Sequence, residues 1–326
     1  MDYLCCPQCH RALDIPVDAS SASCTSCGTG YAVKDAIFDF VDGRSLEEFA
    51  RWQRDIYDGK VESAHMPDYA RPEAVKLQLD YSVHVAKEYG PLIPNWLGVK
   101  CREMTDGLSP HPGELLLDVG CSTGLMLAVM EAVYGTRGAG VDFSRAAVAS
   151  AAACSPGSSE FFSADALQLP MKDAAFDMVI SYGVIEHVSD PEKMVAEMVR
   201  VLRPGGRLLV YTTCRRDRWT WHWWQRLTSF GRYGLGVDNQ AGHDREKFLE
   251  PAELASLFGR AGLERVRTSV VHTMYTLMFD ESYPGFFSRS LGTPLFGAAR
   301  RLLDTADALP NDRGHGNEFI ATGWKG

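Results

Sequence analysis

The 326 residues contain no apolar run that approaches the ~18 needed to cross a bilayer. The stretch Met1–Cys9 lacks a basic n-region followed by an apolar core, so no secretory leader is expected. No internal repeat and no long low-complexity tract is present. Positive charge is also in short supply. Against 42 Asp and Glu stand 33 Lys and Arg, for a formal charge of -9. Such a balance disfavours broad contact with a phosphate backbone, which depends on Lys and Arg releasing counterions; it leaves room for a local basic patch. Cysteine is sparse over most of the chain, but five of the nine fall in the first 27 residues. That distribution is no disulfide framework and implies a reducing, cytoplasmic setting. Hydrophobic residues at 45% and charged ones at 23% predict a sizeable core. The length suits two domains of roughly 150 residues each.

Composition separates three zones: residues 1–43 with the cysteines, a helical stretch over 44–110, and an alternating pattern over 111–326 with an insertion at about 213–250. In the middle zone Pro72 suits a first helical position, and Val75, Leu79, Val83 and Ala86 recur at helical spacing toward Gly90. In the third zone, strands are predicted over Glu114–Val119, Gly138–Phe143, Phe161–Ala164, Phe176–Ser181 and Arg207–Thr212. Helices are predicted over Leu125–Tyr134, after a Ser144 cap, and from Pro191 to Leu202, where Pro204-Gly205-Gly206 should break the chain. A helix at Pro251–Phe258 and strands at Glu264–Thr273 and Glu318–Gly323 follow, with a helical excursion over Phe286–Leu303. Strand–helix alternation of this kind predicts an α/β fold with a mostly parallel, doubly wound sheet.

Cys6-Pro7-Gln8-Cys9 and Cys24-Thr25-Ser26-Cys27-Gly28 form two CxxC knuckles with fourteen residues between them. Each knuckle can turn two thiolates to one point, and four thiolates complete the tetrahedral shell of a closed structural zinc site. Gly28 suits the tight turn after the second pair. Redox-active dithiols or buried free cysteines are the competing readings, and Cys5 is the neighbour most easily mistaken for a ligand. With Tyr31 and Val33-Lys34-Asp35-Ala36-Ile37, the segment resembles the small zinc-ribbon family of methyltransferase activator subunits and their short bacterial relatives. The resemblance covers the first 42 residues and implies a structural or protein-docking module, since four cysteines leave no open position on the metal.

Leu115-Leu116-Leu117-Asp118-Val119-Gly120-Cys121-Ser122-Thr123-Gly124 places an acid near the end of an apolar strand and a glycine-bearing turn before a helix. Ligands of open parallel sheets sit at such strand ends. The spacing Asp-x-Gly-x-x-x-Gly is not the dinucleotide G-x-G-x-x-G, and there is no Walker lysine. Capping of the turn or of the next helix is the bland reading of each acid taken singly. The segment resembles motif I of the class I S-adenosylmethionine (SAM)-dependent methyltransferases, with Ser122 standing where glycine is usual. Later landmarks keep that family's order: Asp142, Ala164-Asp165-Ala166, Phe176–Ser181, Glu186-His187-Val188, Asp190-Pro191, and Glu197 through Gly206.

The resemblance spans about residues 113–213 and implies a Rossmann-like, seven-stranded sheet. It implies a SAM site built from Asp118, Gly120, Cys121, Gly124, Asp142, Phe143, Asp165, Ala166 and Ser181. In it, Asp142 would hold the ribose hydroxyls and Asp165 the adenine amino group. His187, after the fourth strand, is the first candidate for a general base, against a reading in which it lines the pocket or starts a helix. Quinone O-methyltransferases, a further resemblance, carry a Glu-Glu-His cluster that can bind metal. Only Glu186-His187 is matched, so no catalytic metal is expected.

The insertion carries four tryptophans and four arginines between Arg215 and Arg226. A lid over an apolar acceptor, an RNA-stacking patch, an interfacial membrane helix and plain core packing compete to explain it. Trp221, Trp223 and His243 are the candidate acceptor contacts. The expected activity is methyl transfer to a small molecule, a metabolite or natural-product precursor. An RNA or protein methyltransferase guided by the zinc ribbon is the alternative, and a non-enzymatic SAM-binding scaffold a third. Some rRNA guanine methyltransferases also begin with a zinc module, though with three cysteines and a histidine, where this chain has Cys27.

Overall fold

The computed structural model describes residues 2–16, 21–34, 37–41, 51, 54–55, 72–89, 101, 104–215, 227, 247–271 and 318–326. Strand β5 (Leu115–Val119) lies near the middle of a single sheet. To one side run β6 (Arg137–Asp142) and β7 (Glu160–Ser163); to the other run β8 (Phe176–Tyr182) and β9 (Leu202–Thr213). All four pairings among these five strands are parallel. Beyond β9, β11 (Glu318–Lys325) and then β10 (Leu263–Val271) close that side in antiparallel pairing. These seven strands are the predicted set.

The sheet does not stop there. β1 (Leu13–Asp14), β2 (Ser21–Cys24), β3 (Gly30–Lys34) and β4 (Ile37–Asp39) pair antiparallel with one another. β4 then joins β7 in parallel through Asp39 and Ser163, giving eleven strands among the described residues instead of seven. An exposed edge of unpaired N–H and C=O groups at β7 accepts another strand readily, and the N-terminal segment provides it.

Why β5 reads as an apolar run, interrupted only by Asp118 near its end, is clear from its place. Successive side chains of a strand point to opposite faces, so an interior strand must be apolar on both. Leu116 packs with Met126, Leu127 and Met130 of α2 (Leu125–Tyr134) and with Val148 and Ala151 of α3 (Arg145–Cys154). Leu117 and Val119 face the other layer, with Met194, Val195 and Met198 of α4 (Pro191–Val201) and Leu254 and Phe258 of α5 (Pro251–Arg260). Full burial of one such side chain stabilises by about 1.5–3 kcal/mol. The N-terminal helix α1 (Pro72–Tyr89) lays Val75 and Leu79 against Cys154, and Ala86 against Val129.

Local signals set the helix starts. Ser144 Oγ accepts the Ala147 N–H at 3.2 Å, and Asp190 Oδ1 accepts the Lys193 N–H at 2.9 Å with Pro191 at the first helical position. Glu250 and Glu253 exchange hydrogen bonds as a capping box on α5.

One punctuation signal acts differently from its sequence reading. Pro204-Gly205-Gly206 lies within β9 rather than ahead of it, because Leu202 already pairs with Phe176. The next pair is Arg207 with Met178, so five residues of β9 oppose two of β8 and the excess loops out. Gly205, at φ 77°, accommodates that loop. At the far end of β9 the two segments that flank the insertion meet. Cys214 bridges Leu249 in parallel, and the Arg215 N–H donates to the Leu249 carbonyl at 3.2 Å. Trp221, Trp223 and His243 of the insertion, and the excursion over 286–303, lie outside the described residues.

Candidate functional site

The chain leaves β5 to one side and β8 to the other, so the carboxyl ends of these strands form the crevice where open α/β sheets take ligands. The turn there is tightly determined. Gly120 has φ 81°, and a Cβ on it would stand 2.1 Å from Val184 Cγ2. Gly124 has φ 75° and faces the Phe161 ring, which would lie 2.8 Å from an added Cβ. Between them Ser122 also adopts a left-handed conformation, φ 47°. Glycine is usual at that position in the family because the backbone there is one that glycine tolerates without strain.

Asp142 holds the turn from the neighbouring strand. Its Oδ2 accepts the Ser122 N–H at 3.0 Å, and its Oδ1 accepts the Ser144 N–H at 2.9 Å. One carboxylate thus joins the β5 turn to the start of α3, with 8% of Asp142 exposed. The Gly120 and Cys121 N–H groups donate to the Val141 carbonyl at 2.8 and 3.0 Å, tying the same turn to β6. Asp118 is buried on β5, and Phe143 follows Asp142 half-buried. Burial pushes the Cys121 thiol well above its ordinary range, with Asp142 and Asp118 adding to the shift. A neutral, enclosed thiol packs; it does not act as a nucleophile.

Past β7, Asp165 and Ala166 are half-buried. Asp165 Oδ1 accepts the Leu167 N–H at 2.8 Å and its carbonyl accepts the Gln168 N–H at 3.0 Å, an Asx-type turn. The Ala164 N–H donates to the Asp142 carbonyl at 2.9 Å. Asp118, Asp142 and Asp165 therefore stand at or just beyond the ends of three adjacent strands, β5, β6 and β7. Ser181, on β8, is fully buried and donates its hydroxyl to the Val119 carbonyl at 2.8 Å. That bond fixes β8 against the start of the turn.

His187 sits half-buried on a 3-10 turn, Ile185–His187, directly after β8. Its neighbour Glu186 is 2% exposed and accepts the Thr212 hydroxyl at 2.9 Å, pinning the turn to the end of β9. Thr212 was not singled out from the sequence, and neither was Val184 against Gly120. Both contacts join segments far apart in the chain, so no spacing signals them.

The four knuckle cysteines converge. All four sulfurs lie within 4.8 Å of one another, with Cys6–Cys27 at 3.7 Å and Cys9–Cys24 at 3.4 Å. Zinc–thiolate bonds of about 2.3 Å in a tetrahedron put the sulfurs about 3.8 Å apart, so this donor set fits one zinc ion. The Ser26 and Cys27 N–H groups donate to Cys24 Sγ, each at 3.4 Å, and Tyr31 Oη lies 3.0 Å from Cys6 Sγ. Bonds from the Thr29 hydroxyl and N–H lower the Cys27 thiol to about 6, while burial and its bonds to the neighbouring thiols push Cys9 up. Cys5 points elsewhere, and burial raises its thiol to about 11.

A protein-family model described as a methyltransferase domain matches residues 117–210. The ubiquinone biosynthesis O-methyltransferase of Thiobacillus denitrificans is 31% identical over 182 residues, which take in 54% of this chain and 72% of that protein. The O-methyltransferase cnsE of Penicillium expansum is 36% identical over 114 residues, 33% of this chain and 41% of the fungal protein. The probable tRNA methyltransferase 9B of mouse is 34% identical over 144 residues, 43% of this chain and 31% of the mouse protein. The chain thus spans less than half the length of the fungal and mouse relatives. Among solved structures, Haemonchus contortus phosphoethanolamine N-methyltransferase 2 in complex with S-adenosyl-L-methionine superposes with a TM-score of 0.51 at 15% identity. That match covers 86% of this chain and 61% of the nematode chain, and it shows a shared fold. With a relative matched at this identity over most of its length, and with the strand order described above, this chain belongs to the class I SAM-dependent methyltransferases.

Proposed function

We propose that the protein transfers a methyl group from SAM to a small-molecule acceptor. The observation that carries the reading is the row of three acids, Asp118, Asp142 and Asp165, at or near successive strand ends beside a turn whose left-handed backbone its glycines accommodate. SAM, when bound, supplies a methyl group already activated by a sulfonium. The residues would hold it in the manner the family resemblance implies. Asp142 would accept the vicinal ribose hydroxyls through lone pairs beyond those its backbone partners use, and Asp165 would accept the adenine amino proton. Gly120, Cys121 and Gly124 would let the cofactor approach the backbone closely, with Asp118, Phe143 and Ala166 beside it. Ser181 would act by fixing the turn.

The remaining work is placing the acceptor in line, which proximity and orientation accomplish. His187 would take a proton where the acceptor is an alcohol or phenol. Trp221, Trp223 and His243 would close over the acceptor from the insertion, whose two ends meet beside β9.

The formal charge of -9 and the similarity to O-methyltransferases favour a small acceptor over nucleic acid. The mouse relative, named a probable tRNA methyltransferase, keeps RNA as the second reading. By role, residues 1–43 would hold one structural zinc and offer a surface for protein docking. Residues 44–110 would form a helical link, and residues 111–326 would carry catalysis. No described helix is long and apolar enough to cross a membrane. A reducing, cytoplasmic compartment suits the cysteine distribution, with five of the nine in the first 27 residues.

The test is incubation of cell extract with methyl-labelled SAM and purified enzyme, followed by separation into RNA, protein and small-molecule fractions. Label in the small-molecule fraction is expected. Label chiefly in RNA, with activity falling steeply in salt, would overturn the acceptor class.

A further inference from the structure

On the sheet face that α2 and α3 cover, β8, β9 and β11 place Ile180, Leu209 and Ile320 in the core. Toward the carboxyl ends of β8 and β9 the same face changes character. Two residues on along the pleat stand Tyr182 and Tyr211, then Thr213, with Glu318 at the start of antiparallel β11. The register sets them side by side, Tyr182 against Tyr211 and Thr213 against Glu318. The two rings lie 5.5 Å apart between centroids, tilted by 39°. The Tyr211 hydroxyl donates to Glu318 Oε2. Thr213 Oγ1 is buried, and among the described residues nothing bonds it.

This cluster adjoins the turn at which SAM would bind. Ser181 donates to the Val119 carbonyl at 2.8 Å and Val184 packs on Gly120, so Tyr182 lies between two residues that touch that turn. The Gly183 N–H donates to the Tyr211 carbonyl at 2.9 Å, which ties the tyrosine pair to the same corner. The three acids belong to β5, β6 and β7; this cluster belongs to β8, β9 and β11, across the switch point. Phenols and a carboxylate thus stand where the sheet would otherwise continue its apolar core, at the end where open α/β sheets take ligands.

Charge narrows the ligand. Glu318 is half-buried, and a second carboxylate, Glu186, is buried at the end of β9 through its bond from Thr212. An anionic group brought here would meet like charge. A wholly apolar one would cover a carboxylate and a hydroxyl without replacing their water, which is costly for both. A protonated amine offers N–H donors to each. The carboxylate has about four lone-pair sites, of which Tyr211 uses one, and tyrosine rings attract cations.

We propose that Tyr182, Tyr211, Thr213 and Glu318 anchor a protonated amino group of the methyl acceptor. The proposal rests on the reading that this chain methylates a small molecule. Glu318 supplies the countercharge, Thr213 accepts a hydrogen bond through Oγ1, and the tyrosine pair walls the group. Small basic amines are then the acceptor class, and neutral or acidic compounds of similar size are poor substrates.

The experiment incubates the full-length enzyme with cell extract and methyl-labelled SAM, against a control without enzyme that accounts for SAM and its breakdown products. The labelled small molecules are separated by electrophoresis at about pH 2, where carboxyl groups are neutral and amines charged. New label should migrate as cations. New label confined to uncharged compounds overturns the proposal and leaves small-molecule methylation standing. New label confined to RNA or protein refutes the proposed function itself, and the proposal with it. Glu318→Gln keeps the side chain's shape and an acceptor for Tyr211 but removes the charge. In a dilution series of extract this variant should need about tenfold more extract for half-maximal labelling, because a charge-assisted bond is lost. Its SAM affinity by calorimetry should match the wild type. Half-saturation at the wild-type dilution, or an equal loss of SAM affinity, overturns the anchoring role. Should the variant fail to fold, the charge of the wild-type product decides.

Discussion

Replacing Gly120 with alanine tests the turn on which the cofactor site depends. Two costs combine. At φ 81° an L-residue pays about 1–2 kcal/mol for a left-handed backbone. The new methyl would also stand 2.1 Å from Val184 Cγ2, and forcing a methyl into packed surroundings costs about 1–3 kcal/mol. Gly120→Ala should therefore lose about 2–5 kcal/mol in urea unfolding. Val184→Ala removes the clashing methyls and leaves a Cβ 3.2 Å away, a tight contact that small shifts relieve. In the double variant the steric part should vanish and the backbone part remain. The cycle should show a favourable coupling of about 1–3 kcal/mol, the size of the steric part. A neutral Gly120→Ala, or strictly additive single effects, would refute the account of the turn and its packing on Val184.

Asp142→Ala should weaken SAM binding more than about tenfold, since a charge-assisted bond to a buried ligand is worth about 1.5–3 kcal/mol. Calorimetry showing unchanged affinity would remove Asp142 from the site. Metal analysis should find one zinc per chain, absent in Cys24→Ser; retention there would assign the metal to other ligands. Tyr3 is held protonated far above its ordinary range, by burial first and then by its bond to Glu160. An unfolded tyrosine ionises near pH 10, so the stability Tyr3 contributes is whole below about pH 10 and declines as pH rises beyond it. Tyr3→Phe should flatten that alkaline slope in thermal melts, and an identical slope would exclude Tyr3 as its source. Lys325 Nζ donates to the Val199 and Leu202 carbonyls at 2.8 and 2.7 Å, capping the end of α4. Lys325→Met should cost about 1–3 kcal/mol of stability by chemical denaturation, and no loss would show those carbonyls satisfied otherwise.

The sequence by itself determined what local chemistry dictates. The run Leu115–Val119, apolar on both faces but for Asp118 near its end, reads as an interior strand, because only a strand covered on both sides carries apolar residues on both faces of its pleat. Ser144, Asp190 and Pro191 mark helix starts, since their atoms satisfy or forgo orphan N–H groups within three residues. The CxxC pairs bring thiols together by spacing alone, and the order of acids along the chain carried the family resemblance. Tertiary structure decided what depends on residues distant in sequence. Ser122 could be read as a departure from the family turn, but its left-handed φ and the reach of Asp142 to its N–H come from the pairing of β5 with β6. Pro204-Gly205-Gly206 is a breaker in any local reading. It becomes a loop inside β9 because Leu202 finds Phe176 across the sheet. The cysteine segment, set apart by composition, continues the sheet beside the loop of Asp165. An open strand edge accepts any compatible backbone, so nothing in the order of residues told where β4 would pair.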